Sequence, residues 1–169
     1  MDAQYNDQQK RVIEIARKCF LRDDNLYGCA ESTYISLKTI FDLQNPQVSS
    51  PAIAFNGGIA YSGAICGAIT GAALAVGELA EYRIKDHQAA KKSAREIVHQ
   101  LIIDFRNEFS SNECVKLIPY QLSIPLEHNR FIMSGIWRVV CMKQIEFTVA
   151  KTVELVDRHS WIEPISSKH

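Results

Sequence analysis

Apolar residues recur at helical spacing along most of the chain, and the pattern predicts a succession of helices. Asn6 or Asp7 is placed to cap a first helix ending near Leu21, with Val12, Ile13, Ala16, Cys19 and Phe20 on one face. Asp23, Asp24 and Asn25 form a turn and offer the next N-cap. A second helix is expected from about Leu26 to Leu43, with Leu26, Ala30, Thr33, Leu37 and Ile40 facing inward and Cys29 in its first turn. Gln44 to Pro51 is a loop by composition, and Asn56-Gly57-Gly58 is a tight turn. Asp86 is placed to cap a helix running to about Phe109, with Ala90, Ala94, Ile97, Leu101 and Phe105 on its apolar stripe. His99 falls off that stripe and reads as a surface residue. Ser110-Ser111-Asn112 ends this helix and caps a short turn, Glu113 to Lys116, that carries Cys114. Leu117 to Asn129, with Pro119 and Pro125, reads as an irregular excursion packed on the body through Ile118, Tyr120, Leu122, Ile124 and Leu126. A last helix is expected from Phe131 or Ile136 to Arg158, with Cys141 one turn before Ile145 on its core face. Only the short Ile136–Met142 run competes as a strand.

The centre of this scheme is Gly57 to Gly77, GGIAYSGAICGAITGAALAVG, which carries no charge. Gly63, Gly67 and Gly71 recur every four residues, so on a helix they line one face. Each such glycine costs about 1 kcal/mol against alanine, which a close-packed neighbour must offset. A helix start near Ser62 places Cys66 near a helix N-terminus, and Glu78 to Asp86 reads as a polar break. The run is long enough to raise the question of a membrane span, but its alanine and glycine are near neutral for insertion. Ser62 and Thr70 weaken it further, and no aromatic or basic belt flanks both ends. No membrane span is expected. The fold class that follows is all-α: a single-domain bundle of about five helices around the glycine-rich one. It comprises an N-terminal helix (1–22), a four-cysteine unit (26–158) and a frayed tail (159–169).

Composition narrows the function classes. Lys and Arg number 19, as do Asp and Glu, so no basic excess points to nucleic acid or to a lipid surface. The segment MDAQYNDQQKR is polar and lacks the apolar core of a secretory signal, which predicts a cytoplasmic protein. In a reducing compartment the five cysteines are not expected to form a static disulfide framework. They are metal ligands, redox thiols or plain core.

Cys19 reads as core. Cys29, Cys66, Cys114 and Cys141 lie on four separate segments, and none forms a Cys-x-x-Cys pair, so any shared site must be assembled by the fold. A cysteine in a first helical turn gains from the free amides and the helix dipole, which favour a thiolate. The series Cys29, then Cys66-Gly67-Ala68-Ile69-Thr70-Gly71, then Cys114 and Cys141, resembles the C_GCAxxG_C_C family of redox-active proteins. That family is recognised by four cysteines, one of them in a Cys-Gly-Ala-x-x-Gly motif. Phe55-Asn56-Gly57-Gly58-Ile59 precedes the motif as a glycine-rich turn does in the family, and the resemblance runs from about Leu26 to Leu155. Cys19 has no place in the pattern, and Pro119 to Gly135 is long for it.

The resemblance implies a redox role, with the four cysteines converging on one site. Related domains in electron-transfer proteins imply an iron–sulfur cluster on Cys29, Cys66, Cys114 and Cys141, with Gly67 letting it approach the backbone. A cofactor-free thiol–disulfide protein is the second expectation, with Cys66 and Cys29 as the catalytic thiols and His128 the one base in view, in a loop. A helical adaptor with a structural zinc site is the third. An unidentified redox partner protein and a homodimer formed near the central or final helix are also expected.

Overall fold

The computed structural model describes residues 5–159. Among them are seven α-helices: α1 (Asp7–Phe20), α2 (Cys29–Ile40), α3 (Gly67–Arg83), α4 (His87–Phe109), α5 (Cys114–Leu117), α6 (Pro125–Ser134) and α7 (Val140–Arg158). Two 3-10 turns, Ser50–Phe55 and Ile136–Arg138, complete the set. The all-α class holds, and the count exceeds the expected one because the chain between α4 and α7 folds into short helices. No strand forms among the described residues, and the Ile136–Met142 run becomes a 3-10 turn and the start of α7. One isolated antiparallel bridge joins Ile65 to Glu113. Of the expected frayed tail, 159–169, His159 closes the last helix and residues 160–169 lie outside the described residues.

Helix starts follow local chemistry. Asn6 caps α1 in a reciprocal box: its Oδ1 accepts the Gln9 N–H at 2.8 Å, and Gln9 Oε1 accepts the Asn6 N–H at 3.0 Å. Asp86 Oδ1 accepts the Ala89 N–H and opens α4. The second helix departs from expectation. It begins at Cys29, because Asp24 is engaged by Arg22 and by the Leu26 N–H in the preceding turn. Leu26 is consequently exposed rather than core. In the supposed excursion, Pro125 takes the first position of α6, where its missing N–H costs nothing. Ile118 and Leu122 are buried as expected, but Ile124 and Leu126 are exposed. Gly135, in the left-handed region, ends α6 and separates it from α7, so the last helix starts at Val140.

Two helices share the centre. Every residue of α2 from Ala30 to Lys38 is buried, so α2 has no solvated face. Against it lies α3, which runs through the expected polar break to Arg83 because Glu78 is drawn inward. Tyr34 Oη donates to Glu78 Oε2 at 2.6 Å, and the buried Lys38 Nζ lies 3.5 Å from Glu78 Oε1. Gly67 and Gly71 form the contact between the two helices. A Cβ at Gly71 would fall on the Ala30 carbonyl oxygen, and one at Gly67 on Cys29 Sγ. Gly63 is not part of this ridge; it lies before the helix at φ +80°.

The remaining long helices flank this pair. α1 packs antiparallel to α7 through Gln9 to the Ala150 carbonyl, Arg17 to Glu146, and Phe20 edge-on to Trp137. α4 meets α7 through Phe105, Phe109 and Phe147. The consequence is directional: α2, α3 and α7 begin at one end of the bundle, where α1 finishes. No described helix is long and apolar enough to cross a membrane.

The same substitution on α3 is expected to act with opposite signs at two positions. Gly71→Ala should destabilise the fold by roughly 1–3 kcal/mol through overpacking against the α2 backbone. Gly77→Ala, where an added Cβ meets nothing within 4 Å, should stabilise by about 1 kcal/mol. Thermal melting of the two variants checks this; equal shifts would refute the contact.

Candidate functional site

The helix starts carry the cysteines. Cys29 is the first residue of α2, Cys66 the N-cap of α3, Cys114 the first residue of α5, and Cys141 the second residue of α7. Backbone pairing fixes two of them side by side. Cys66 N–H donates to the Asn112 carbonyl at 2.8 Å, and Cys114 N–H to the Ala64 carbonyl at 2.7 Å. Cys29, Cys114 and Cys141 line one cavity of about 320 Å³. Cys66 is set behind it, 3% exposed, with its thiol 3.6 Å from Gln144 Oε1 on α7. Cys19 is half-buried on α1 beside Ser36 and Arg22, and none of the other thiols acts on it. All five cysteines are free.

Asn56 organises the start of α2. The N-cap position is Gly28, which has no side chain to offer; a Cβ there would strike the Asn56 carboxamide. Asn56 Oδ1 substitutes for the missing cap, accepting the Ala30 N–H at 3.0 Å, and also lies 3.9 Å from Cys29 Sγ. Asn56 Nδ2 donates to Glu31 Oε2 at 2.9 Å, and the same oxygen accepts the Gly28 N–H. Ser49 Oγ donates to Glu31 Oε1 at 3.0 Å, so this buried carboxylate is satisfied without a cation. Sequence reasoning missed both residues. Glu31 was visible as the third residue of a capping box, Gly28-x-x-Glu31; Asn56 showed only as a turn former.

The turn after Asn56 is strained. Gly57, Gly58, Ile59, Ala60 and Tyr61 all have positive φ, from 50° to 71°. For the three residues with side chains this costs roughly 1–2 kcal/mol each. The turn places the Gly57 backbone beside Cys29, Gly58 beside Cys114, and Tyr61 against His128 at 4.6 Å between ring centroids. His128 lies on helix α6, not in a loop as expected, and its ring lines the cavity.

Protonation follows from a competition. The amides of Gly57, Ala30 and Gly67, with its own N–H, act on Cys29 Sγ to favour the thiolate. Burial is the larger influence, and the Cys29 pKa is raised. Burial also raises Cys66 and Cys141 well above the ordinary thiol value and pushes Cys114 up to about 12. The expected lowering at helix N-termini is therefore overturned: desolvation outweighs the amides. The four thiols are coupled: a charge on Cys29 raises the other three, and the repulsion is mutual. Of the four, Cys29 is the one whose thiolate is favoured by backbone amides from three segments.

Among the described residues, no group of three or more His, Cys, Asp or Glu side chains is placed to hold a metal ion.

The family described as "Putative redox-active protein (C_GCAxxG_C_C)" matches residues 27–155, well over half of the chain, and the chain belongs to that family. The match covers all four cysteines of the site and leaves out Cys19. No curated protein and no solved structure matches the chain.

Two predictions follow from this geometry. Ala60→Gly, at an exposed left-handed position, should relieve strain and raise stability by about 1 kcal/mol, read by chemical denaturation. The buried thiols stay protonated in the folded chain at a pH where the unfolded chain has lost those protons. Their contribution is full below the ordinary thiol pKa and declines as pH climbs from about 8.5 toward 12. The Tm of the reduced protein should fall across that range, and less steeply in Cys114→Ala. Parallel profiles for the two would refute the burial account.

Proposed function

We propose that this member of the C_GCAxxG_C_C family is a thiol redox protein that works by dithiol–disulfide exchange, with Cys29 as the attacking thiol. What supports the reading is that three thiols, from α2, α5 and α7, line one cavity without forming a metal-ligand group. Cys29 leads because backbone amides from three segments favour its thiolate. Its S–H proton leaves to solvent or to His128 across the cavity. The thiolate then attacks one sulfur of a disulfide, the S–S bond breaks, and the departing sulfur takes a proton. A second cavity thiol, Cys114 or Cys141, attacks Cys29 Sγ, closes an internal disulfide and releases the second product thiol. Two electrons pass from the protein to the substrate, and a dithiol reductant restores the starting state. Cys66, held toward Gln144, stands behind this pair.

Two measurements test the proposal. Iodoacetamide should label Cys29 ahead of the other site cysteines, with a rate rising roughly tenfold per pH unit toward its pKa. Mild oxidation should lower the thiol count by two, and peptide mapping should show a disulfide from Cys29 to Cys114 or Cys141. An unchanged thiol count, or a coloured protein after anaerobic addition of iron and sulfide, would replace this reading with a cluster.

A further inference from the structure

We propose that the substrate of this cavity is a neutral, aromatic, low-molecular-weight disulfide; the inference rests on the thiol-exchange reading above. The cavity, about 320 Å³, lies at the lower end of the range for small-molecule sites and has no room for a dinucleotide. Its walls are mostly rings and branched side chains, among them Phe20, Phe131, Trp137, Ile118 and Leu122. Tyr61, stacked with His128, completes the aromatic surround.

Charge recognition is missing from this lining. Among the described residues that line the cavity, none is Lys or Arg. The carboxylate of Glu31 is taken up by Ser49, Gly28 and Asn56. Of the two basic residues next in sequence to a lining residue, Arg130 beside Phe131 is exposed, and Arg138 stacks over the Trp137 ring at 4.5 Å. It is held there by the Leu21 carbonyl and by Asp23. An anionic substrate such as a peptide-type disulfide with free carboxylates would lose its hydration on entry and meet no Lys or Arg, with His128 the one lining side chain able to carry a positive charge. An aromatic disulfide would instead stack on the rings while its S–S bond reaches the thiols of Cys29, Cys114 and Cys141. Of the four lining residues that are exposed, Leu26, Tyr61 and Ile132 are large and mostly apolar, and Asn25 is polar and uncharged.

The reaction balances as Ar–S–S–Ar plus two protein thiols giving two Ar–SH and one protein disulfide. Cys29 displaces the first arylthiol, and the second cavity thiol displaces the other.

The test compares three disulfides on the reduced full-length protein: 4,4′-dithiodipyridine (neutral, aromatic), 5,5′-dithiobis(2-nitrobenzoate) (anionic, aromatic) and hydroxyethyl disulfide (neutral, aliphatic). Each rate is divided by that of the same reagent with N-acetylcysteine. The neutral aromatic reagent should lead by about tenfold or more and should saturate with concentration, showing binding before reaction. 4,4′-Bipyridine, which has the rings without the disulfide, should compete and should quench Trp137 fluorescence. Ile132→Trp, at the exposed mouth, should abolish the preference; should that variant misfold, bipyridine competition alone carries the same decision. Rates linear in reagent, with no normalised preference and no competition, overturn the substrate class while leaving a reactive Cys29 intact. A Cys29 that iodoacetamide does not label first overturns the exchange reading itself, and the substrate assignment with it.

Discussion

The approach of α2 to α3 with no side chain between them sets the geometry of everything else. Gly67 and Gly71 present bare backbone to Ala30, and a Cβ at either place would land on atoms of α2. Gly71, in the interior of α3, costs about 1 kcal/mol against alanine, so the contact must return at least that in packing. What it delivers is position. With Gly67 in place, the Cys29 sulfur lies against the first turn of α3 as well as in its own first turn. Farther along, the same pairing draws Glu78 to Tyr34 and Lys38, which explains why α3 continues through a stretch that reads as polar.

The site that results is a contest between two effects of known size. A helix N-terminus favours a nearby negative charge by about 0.3–1 kcal/mol, up to about 2 in partly buried settings. Full burial of an ionisable group opposes its charge by up to several pKa units, each worth about 1.4 kcal/mol. The amides at Cys29 therefore temper the effect of burial without reversing it, and the other three thiols, with less help, are raised further. A thiol held in this way keeps its proton to higher pH than a thiol in water.

Much of this was legible in the chain. The helical periodicity of Val12–Phe20 and of Ala90–Phe105 located α1 and α4 closely, and Asn6 and Asp86 cap them as their positions foretold. The cysteines were legible as a set through their family pattern, and Cys29, Cys66 and Cys114 also through their placement at helix starts; Cys141 was expected within the last helix, and its place near the start of α7 comes from Gly135 ending α6. What failed has identifiable causes. Gly63 shares the four-residue spacing of the ridge, but periodicity carries no sign of φ, and it belongs to the turn. Glu78 looked like a boundary because its partners, Tyr34 and Lys38, lie some forty residues away in sequence. Gln144 and Asn56 had no local signal at all: each owes its role to a neighbour brought in by tertiary packing. The direction of the thiol pKa values was misjudged because sequence shows helix starts and does not show how deeply they are buried.

The strained turn explains why these parts are joined as they are. Gly57 to Tyr61 costs several kcal/mol of backbone energy by the usual penalty for left-handed residues. A relaxed loop of the same length would connect the Ser50–Phe55 turn to α3 without that cost. It would not bring Asn56 to the open end of α2, the Gly57 amide to Cys29, Gly58 to the Cys114 side chain, and Tyr61 to His128 together. Together those contacts tie three helices, α2, α5 and α6, to the same short segment. The strain is therefore located where thiols from separate helices must share one wall. The contacts that hold it are the contacts that build the cavity, so loosening the turn and losing the site are one event.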